Sequence, residues 1–319
     1  MTNSKQSNPI ILDWDADKIE KFGSEPLKFK HRAHLSPLFE DERLARLIEH
    51  APRENYYVNT VDIAPDGSRR RREGEFGGLS GLEVLEAVRT GSIWVMLLYP
   101  DQTDSGYSEL LEEIYSEIHE HVPTLKILKK KISILISSPN IPVFYHCDLA
   151  GQTLWQVRGQ KTAYVYPNKP PYLAQPNLER IVLGEAHEIS LPYDPAWDAD
   201  ADVFTIEPGD MLHWQLNAPH RIENGPCLNI SFTTEHVTPM VRRNFVVNYG
   251  NGILRRMGGW QDLPRETTGP TYWTRLATMA AARAMKLQRG RGQKFHVDFK
   301  VDPEAQGGYR DIAPYVFEK

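Results

Sequence analysis

His146 and Asp148 bracket one residue, Cys147, and a further histidine, His220, follows 72 residues after Asp148 within the stretch from Gly209 to Asn224. Two imidazoles and one carboxylate are the ligand set of a facial triad, which holds Fe(II) and leaves positions open for oxygen and a chelating molecule. In a β-strand residues i and i+2 face the same side, so His146 and Asp148 form a two-point clamp while Cys147 faces away. The third ligand must come from another strand crossing near the first. His220, after the Pro208-Gly209-Asp210 turn and a short apolar run, stands where an antiparallel return delivers it. His213 competes for the same role. Taken alone, the pattern fits equally a hydrogen-bonded His–Asp pair in a core with His220 as a loop residue.

The elements that must carry these residues follow from periodicity. Residues 40–50 have acidic residues in the first turn and apolar spacing suited to a helix, residues 82–88 suggest another, and Leu110, Leu111, Ile114, Tyr115, Ile118 and Val122 form one face of a third that Pro123 stops. Ser92 to Tyr99 reads as a buried strand ended by Pro100. From Lys131 to about Glu235 short runs rich in Ile, Val, Tyr, Phe and Thr alternate with Pro, Gly, Asn and Asp clusters: Ile132 to Ile136, Val143 to Asp148, Leu154 to Tyr166, Val203 to Ile206, Met211 to Leu216 and Cys227 to Thr234. Such spacing predicts an antiparallel sandwich or barrel. After Pro239 helix returns, with Trp273, Leu276, Ala280, Ala284 and Leu287 on one face and Gly290 as its stop. This helix is expected to cover the barrel or to pair with a second copy as a homodimer. The division is therefore 1–90, an N-terminal α/β extension; 91–240, the catalytic core; and 241–319, a C-terminal helical region.

With 319 residues, 40% hydrophobic and 25% charged, the chain is long enough for a sizeable core. A net charge of −5 gives no electrostatic pull toward nucleic acid or an anionic membrane. The basic runs Arg69–Arg72 and Lys129–Lys131, and the scattered Lys286, Arg289, Arg291 and Lys294, are expected to be solvated surface. The polar first residues hold no apolar signal core and are expected to be mobile. No run approaches the roughly 18 apolar residues of a membrane span. A soluble, cytoplasmic protein is the expectation, with Cys147 and Cys227 as reduced thiols and Cys147 as a packing residue. Trp155 and Trp214 are candidates for the pocket wall or the core.

The pattern resembles the cupin superfamily, and within it the jumonji-C-type Fe(II)/2-oxoglutarate dioxygenases. Gly209, His220 and Asn224 match the second cupin motif, with Gln215 and Asn217 in its usual Pro and Gly places; this spacing selects His220 over His213 and leaves His213 to line the cavity or orient a ligand. In the first motif Gln152 takes the place of an acidic ligand, Gly159 matches its glycine, and Asn140 stands where an opening glycine is usual. An amide is a poor metal ligand, so three protein ligands remain. Lys161, thirteen residues after Asp148 in Gln156-Val157-Arg158-Gly159-Gln160-Lys161, matches a family lysine. The resemblance spans roughly residues 90–240.

It implies a mainly β protein with α/β decoration, whose core is a cupin-type double-stranded β-helix, or jelly roll. His146, Asp148 and His220 would hold Fe(II), and Lys161 would pair with the distal carboxylate of 2-oxoglutarate. Val143 lacks the hydroxyl that often assists that lysine, which makes Gln152, Asn229 and Ser231 the candidate helpers. The implied activity is hydroxylation with O2 and 2-oxoglutarate as cosubstrates, on a small metabolite or on a protein or peptide side chain. Two other readings remain at this level: a non-catalytic cupin-like sensor or regulator of small molecules, and a cupin enzyme using another divalent metal.

Overall fold

In the computed structural model, which describes residues 8–63, 69–287 and 294–318, short strands set the architecture, some buried on alternate residues and others, such as β7, β10 and β12, on nearly every residue. In chain order the strands are β1 (Leu27–Lys30), β2 (Tyr56–Ile63), β3 (Arg69–Glu75), β4 (Ile93–Leu98), β5 (Lys129–Ser137), β6 (Pro142–His146), β7 (Gly151–Arg158), β8 (Lys161–Val165), β9 (Asp202–Ile206), β10 (Asp210–Trp214), β11 (His220–Asn224), β12 (Asn229–Val237), β13 (Lys294–Val301) and β14 (Tyr309–Glu318). The helices are α1 (Ala16–Lys21), α2 (Asp41–His50), α3 (Gly81–Thr90), α4 (Ser105–His121), α5 (Gln175–Val182), α6 (Pro239–Gly258) and α7 (Gly269–Ala284).

Strands β10, β7, β12 and β5 lie side by side in that order in one sheet, and β6, β11, β8 and β9 form a second. The chain changes sheet at nearly every connection, which is the topology of a double-stranded β-helix. Leu154, Leu212 and Trp214 from the first sheet share a buried cluster with Ala163, Val165, Ile206 and Ile222 from the second, so the sheets face each other. The outer face of the first sheet buries Ile132, Ile134 and Ile136 of β5 against Leu44 of α2, Leu85 of α3 and Ile114 of α4. Each such side chain contributes about 1.5–3 kcal/mol. A third cluster, with Tyr145, Cys147, Tyr166, Leu178, Tyr249 and Ile253, packs α5 and α6 on the other side.

The larger sheet continues past the jelly roll to ten strands, with β1 beyond β10 and β4, β2, β3, β13 and β14 beyond β5. The C-terminal region is therefore not wholly helical. In β13, Phe295, Val297, Phe299 and Val301 are buried alternately, a period of two that the adjacent Ala-rich helical pattern obscured. Strand β13 pairs in parallel with β3, and the Phe299 ring fills the space beside Gly74, where a Cβ would meet it at 2.2 Å. Segments 1–90, 91–240 and 241–319 thus share one sheet.

Helix α7 also turns a different face inward. Ala282 is buried with Met279 and Leu287 beside it, whereas Trp273, Ala280 and Ala284 are exposed. The cause is a close crossing with α6, where a Cβ on Gly250 would stand 2.7 Å from Arg275 Cβ. The expected stop at Gly290 and the basic positions Arg289 and Arg291 lie outside the described residues, as do the polar residues Met1 to Ser7. The basic runs are strand segments with partners: Arg72 binds Asp298 at 2.9 Å and Asp311 at 2.6 Å, Lys130 binds Glu112 at 2.6 Å, and Lys131 binds Glu235 at 2.8 Å.

The run from Leu154 to Tyr166 divides into β7 and β8 at a corner where the chain leaves one sheet for the other. Gly159 makes that corner at φ +77°, and a Cβ there would meet Leu228 O at 2.5 Å and Asn229 Oδ1 at 2.8 Å. Gly159→Ala is therefore expected to cost about 2 kcal/mol, combining left-handed strain with a backbone clash. Thermal unfolding reads this as a Tm lower by several degrees; an unchanged Tm would mean that the corner relaxes freely.

Candidate metal centre

Antiparallel pairing of β11 with β6 sets His220 directly opposite His146, with the ring centroids 4.1 Å apart. Strand β6 ends at His146 and the pairing shifts register after His220, so Asp148 sits just past the strand rather than within it. Cys147 points into the cluster under α5 and α6 and is fully buried, and burial pushes its thiol pKa up. Asp148 returns toward the histidines, with Oδ1 4.0 Å from His146 Nε2 and Oδ2 3.5 Å from His220 Nε2. One ligand atom from each of the three lies within 4.8 Å of the others.

The other ring nitrogens fix the tautomers. His146 Nδ1 lies 2.7 Å from Phe144 O and His220 Nδ1 3.0 Å from Ala218 O. A carbonyl oxygen only accepts, so each Nδ1 carries the proton and each Nε2 presents a lone pair. Asp148 Oδ2 is buried without a hydrogen-bond partner among the described residues. Burial raises the Asp148 pKa, opposed by His146 and Lys131, while burial and His146 hold His220 well below the ordinary histidine range. Two imidazole Nε2 atoms and the Asp148 carboxyl thus converge, a donor set that fits a divalent cation such as Fe(II).

Asn217 ties the two halves of the centre together. It lies in the turn between β10 and β11 at φ +60°, is buried, and donates from Nδ2 to the backbone oxygen of Asp148 at 2.6 Å. A glycine in that place would take the same backbone conformation but supply no clamp. Trp214 packs its ring 4.5 Å from that of His220. His213 stays apart from the triad: its Nδ1 lies 2.9 Å from Gln152 O, and its ring stacks on Phe22 at 4.1 Å. Trp155 belongs to the outer core, stacked on Phe232.

Lys161, 1% exposed, faces the inside of the barrel from β8 and donates to Ser231 Oγ at 2.8 Å. Among the described residues its ammonium has no carboxylate partner, and burial alone lowers its pKa to about 7. Asn229 is engaged elsewhere: its Oδ1 accepts from Gln156 Nε2 at 2.9 Å and its Nδ2 donates to Cys227 O at 2.9 Å. Gln152 lines a cavity of about 950 Å³ together with His146 and Asp148. Pairing of β12 with β5 and β7 puts Ser133, Ser137, Thr233 and Gln156 on the same inner face as Ser231. Ser133 Oγ, Ser137 Oγ, Thr233 Oγ1 and Gln156 Oε1 are buried without partners among the described residues. Sequence reasoning missed Ser133, Ser137 and Thr233; the signal was same-face spacing along two apolar strands, i+4 from Ser133 to Ser137 and i+2 from Ser231 to Thr233.

No family model and no curated protein matches this sequence. Among solved structures the chain is similar to YcfD, a ribosomal oxygenase from Escherichia coli, in complex with cobalt and 2-oxoglutarate, at 15% identity and a TM-score of 0.49 over 92% of this chain and 75% of that one. The complex of the same protein with cobalt and succinic acid gives 15% and 0.47 over 92% and 75%. Another structure of E. coli YcfD gives 15% and 0.48 over 86% and 68%.

The geometry predicts one divalent ion per chain. In competition titrations with a fluorescent chelator, Asp148→Ala should weaken Co(II) binding at least about 100-fold, and Asn217→Gly about tenfold with an unchanged metal-free Tm. Equal affinity in Asn217→Gly and the unaltered chain would remove the clamp.

Proposed function

We propose that this chain is an Fe(II)- and 2-oxoglutarate-dependent oxygenase that hydroxylates its substrate. The observation that carries the reading is the pairing, inside one barrel, of a lone-pair triad with a buried lysine that lacks a counter-charge among the described residues. Along β8, Lys161 lies four residues from Val165, the partner of His220, or about 13 Å at a strand rise of ~3.3 Å per residue. A short dicarboxylate bridging that span would give the ammonium its missing partner and the metal a chelating end. Ser231 orients the ammonium, and Ser133 and Thr233 offer hydroxyls to the same chamber. Gln152, an amide at the cavity wall, leaves the remaining coordination positions open. Bound iron would supply oxygen activation coupled to decarboxylation of 2-oxoglutarate to succinate.

The cavity wall aims the substrate, a small molecule or a protein side chain. Exposed Met257, Trp260 and Trp273 leave apolar side chains on and after the C-terminal helices, which supports self-association there. No described helix is long and apolar enough to cross a membrane, and the two free cysteines fit a cytoplasmic setting.

The test is O2-dependent release of succinate from 2-oxoglutarate by the iron-loaded chain. Binding and no succinate under any substrate would favour a sensor. Lys161→Ala should weaken 2-oxoglutarate binding about 100-fold or more, with metal affinity nearly unchanged. The lysine also gives a proton signature. With its pKa at about 7 it is mostly neutral at pH 8, and an anionic partner restores the charge. Calorimetry in buffers of different ionisation enthalpy should register uptake of close to one proton per 2-oxoglutarate at pH 8 and little at pH 6. The unfolded chain holds that proton up to about pH 10.4, so this group's penalty on stability is full below pH 7 and fades as pH rises from 7 toward 10.4. Pure anion binding without proton uptake at pH 8 would contradict the role.

A further inference from the structure

Among the described lysines Lys161 is the one that is buried; the others reach solvent or a carboxylate. Its strand β8 runs between β11 and β9, where the residues paired with it are Asn224 and Ile206, neither of them charged. Its Nζ stands 2.8 Å from Ser231 Oγ. On that inner face Ser231 lies opposite Leu135, with the Ser133–Thr233 pair on one side and the Ser137–Asn229 pair on the other. An amine without a carboxylate partner thus shares the barrel interior with three hydroxyls, those of Ser133, Ser137 and Thr233, that have no partner among the described residues. An ammonium buried without a counter-charge loses its hydration and gains nothing in return. Burial therefore favours the neutral amine, whose lone pair is a nucleophile, and the Lys161 pKa is lowered to about 7 with burial as its sole cause.

Carbon dioxide is small, uncharged and electrophilic, so it enters such a chamber at little desolvation cost and accepts that lone pair. We propose that Lys161 is a carbamylation site, its Nζ adding to the carbon of carbon dioxide, with Ser231 and the neighbouring hydroxyls as donors to the carbamate oxygens. The N–C bond forms as one C=O π bond opens onto oxygen, and one N–H proton leaves to solvent. A neutral side chain becomes an anion with no change of oxidation state, and no further reagent is needed. The barrel tolerates that anion because each unpartnered hydroxyl offers one O–H, and hydrogen bonds to a charged acceptor are the stronger kind. The product places a negative charge where the oxygenase reading needs a positive one. On that reading, on which this consequence alone rests, carbon dioxide and 2-oxoglutarate compete for Lys161, and the gas released by decarboxylation is itself an inhibitor.

The test takes the full chain without iron at pH 8, under isotope-labelled bicarbonate in equilibrium with carbon dioxide, and follows it by carbon NMR. Trapping with triethyloxonium and peptide mass spectrometry then locate the label. A carbamate resonance approaching one equivalent per chain is expected, with the trapped label on Lys161. Lys161→Arg should lose it, and Ser231→Ala should lower its occupancy about tenfold at subsaturating carbon dioxide. In a second arm, saturating 2-oxoglutarate should erase the resonance, and carbon dioxide should raise the apparent Kd for 2-oxoglutarate about tenfold. No carbamate resonance, a trapped label confined to the N-terminus or to exposed lysines, or an undiminished resonance in Lys161→Arg would each overturn the proposal. The trapping result comes from the unaltered chain, so it stands even where a variant fails to fold. A full resonance beside bound 2-oxoglutarate would overturn the competition. Iron, oxygen and 2-oxoglutarate are absent from the first arm, so its failure leaves succinate release intact, and failure of the oxygenase reading leaves the carbamate intact.

Discussion

The structure depends on one electrostatic arrangement: two imidazole lone pairs and a carboxylate aimed at a common point. Each histidine is committed by its own strand, since Nδ1 faces a backbone oxygen two residues earlier and only Nε2 is left to face Asp148. Without a cation this costs free energy, because a buried carboxylate oxygen has no donor and the neighbouring nitrogens repel it. The fold accepts that cost through the β6–β11 pairing, which fixes His146 against His220, and through Asn217, which holds the backbone of Asp148. A ligand set assembled this way is preorganised, and metal binding then relieves strain that folding has already built in.

The barrel interior divides into two zones. One is apolar, where Leu154, Ala163, Val165, Leu212 and Ile222 lock the two sheets together. The other is polar, where Lys161, Ser133, Ser137, Ser231, Thr233 and Gln156 share the inner face with several hydrogen-bonding atoms unmatched. A core built only for stability would not leave so many polar atoms unpaired. Outside the barrel, the isoleucines of β5 and the helix layer provide the stability that the polar interior forgoes.

How far the sequence discloses this depends on the range of the interactions. His146, Asp148 and His220 stand out because their chemistry is rare and their spacing matches a sheet return, and the structure brings the same three together. Asn140 and Asn217, which depart from the cupin glycines, both hold left-handed backbone at φ +59° and +60°, so the turns persist with an asparagine in place of glycine. The clamp from Asn217 to Asp148 was not legible, because it joins residues 69 positions apart. Strands β13 and β14 escaped notice because an isolated period-two run gives a weak signal beside a long Ala-rich helix. The rotation of α7 is a packing outcome set by Gly250 against Arg275, and no local pattern encodes it. Arg71 and Lys131 read as solvated runs in one dimension; strand alternation turned them toward the cavity.

The central claim is that the triad and Lys161 act on one metal–cosubstrate pair. An anaerobic titration of the metal-free chain, first with Fe(II) and then with 2-oxoglutarate, followed by visible absorption, tests it most directly. The account predicts that a metal-to-ligand charge-transfer band appears only after the second addition and saturates at one equivalent of each. Iron bound with no band at saturating 2-oxoglutarate would contradict it.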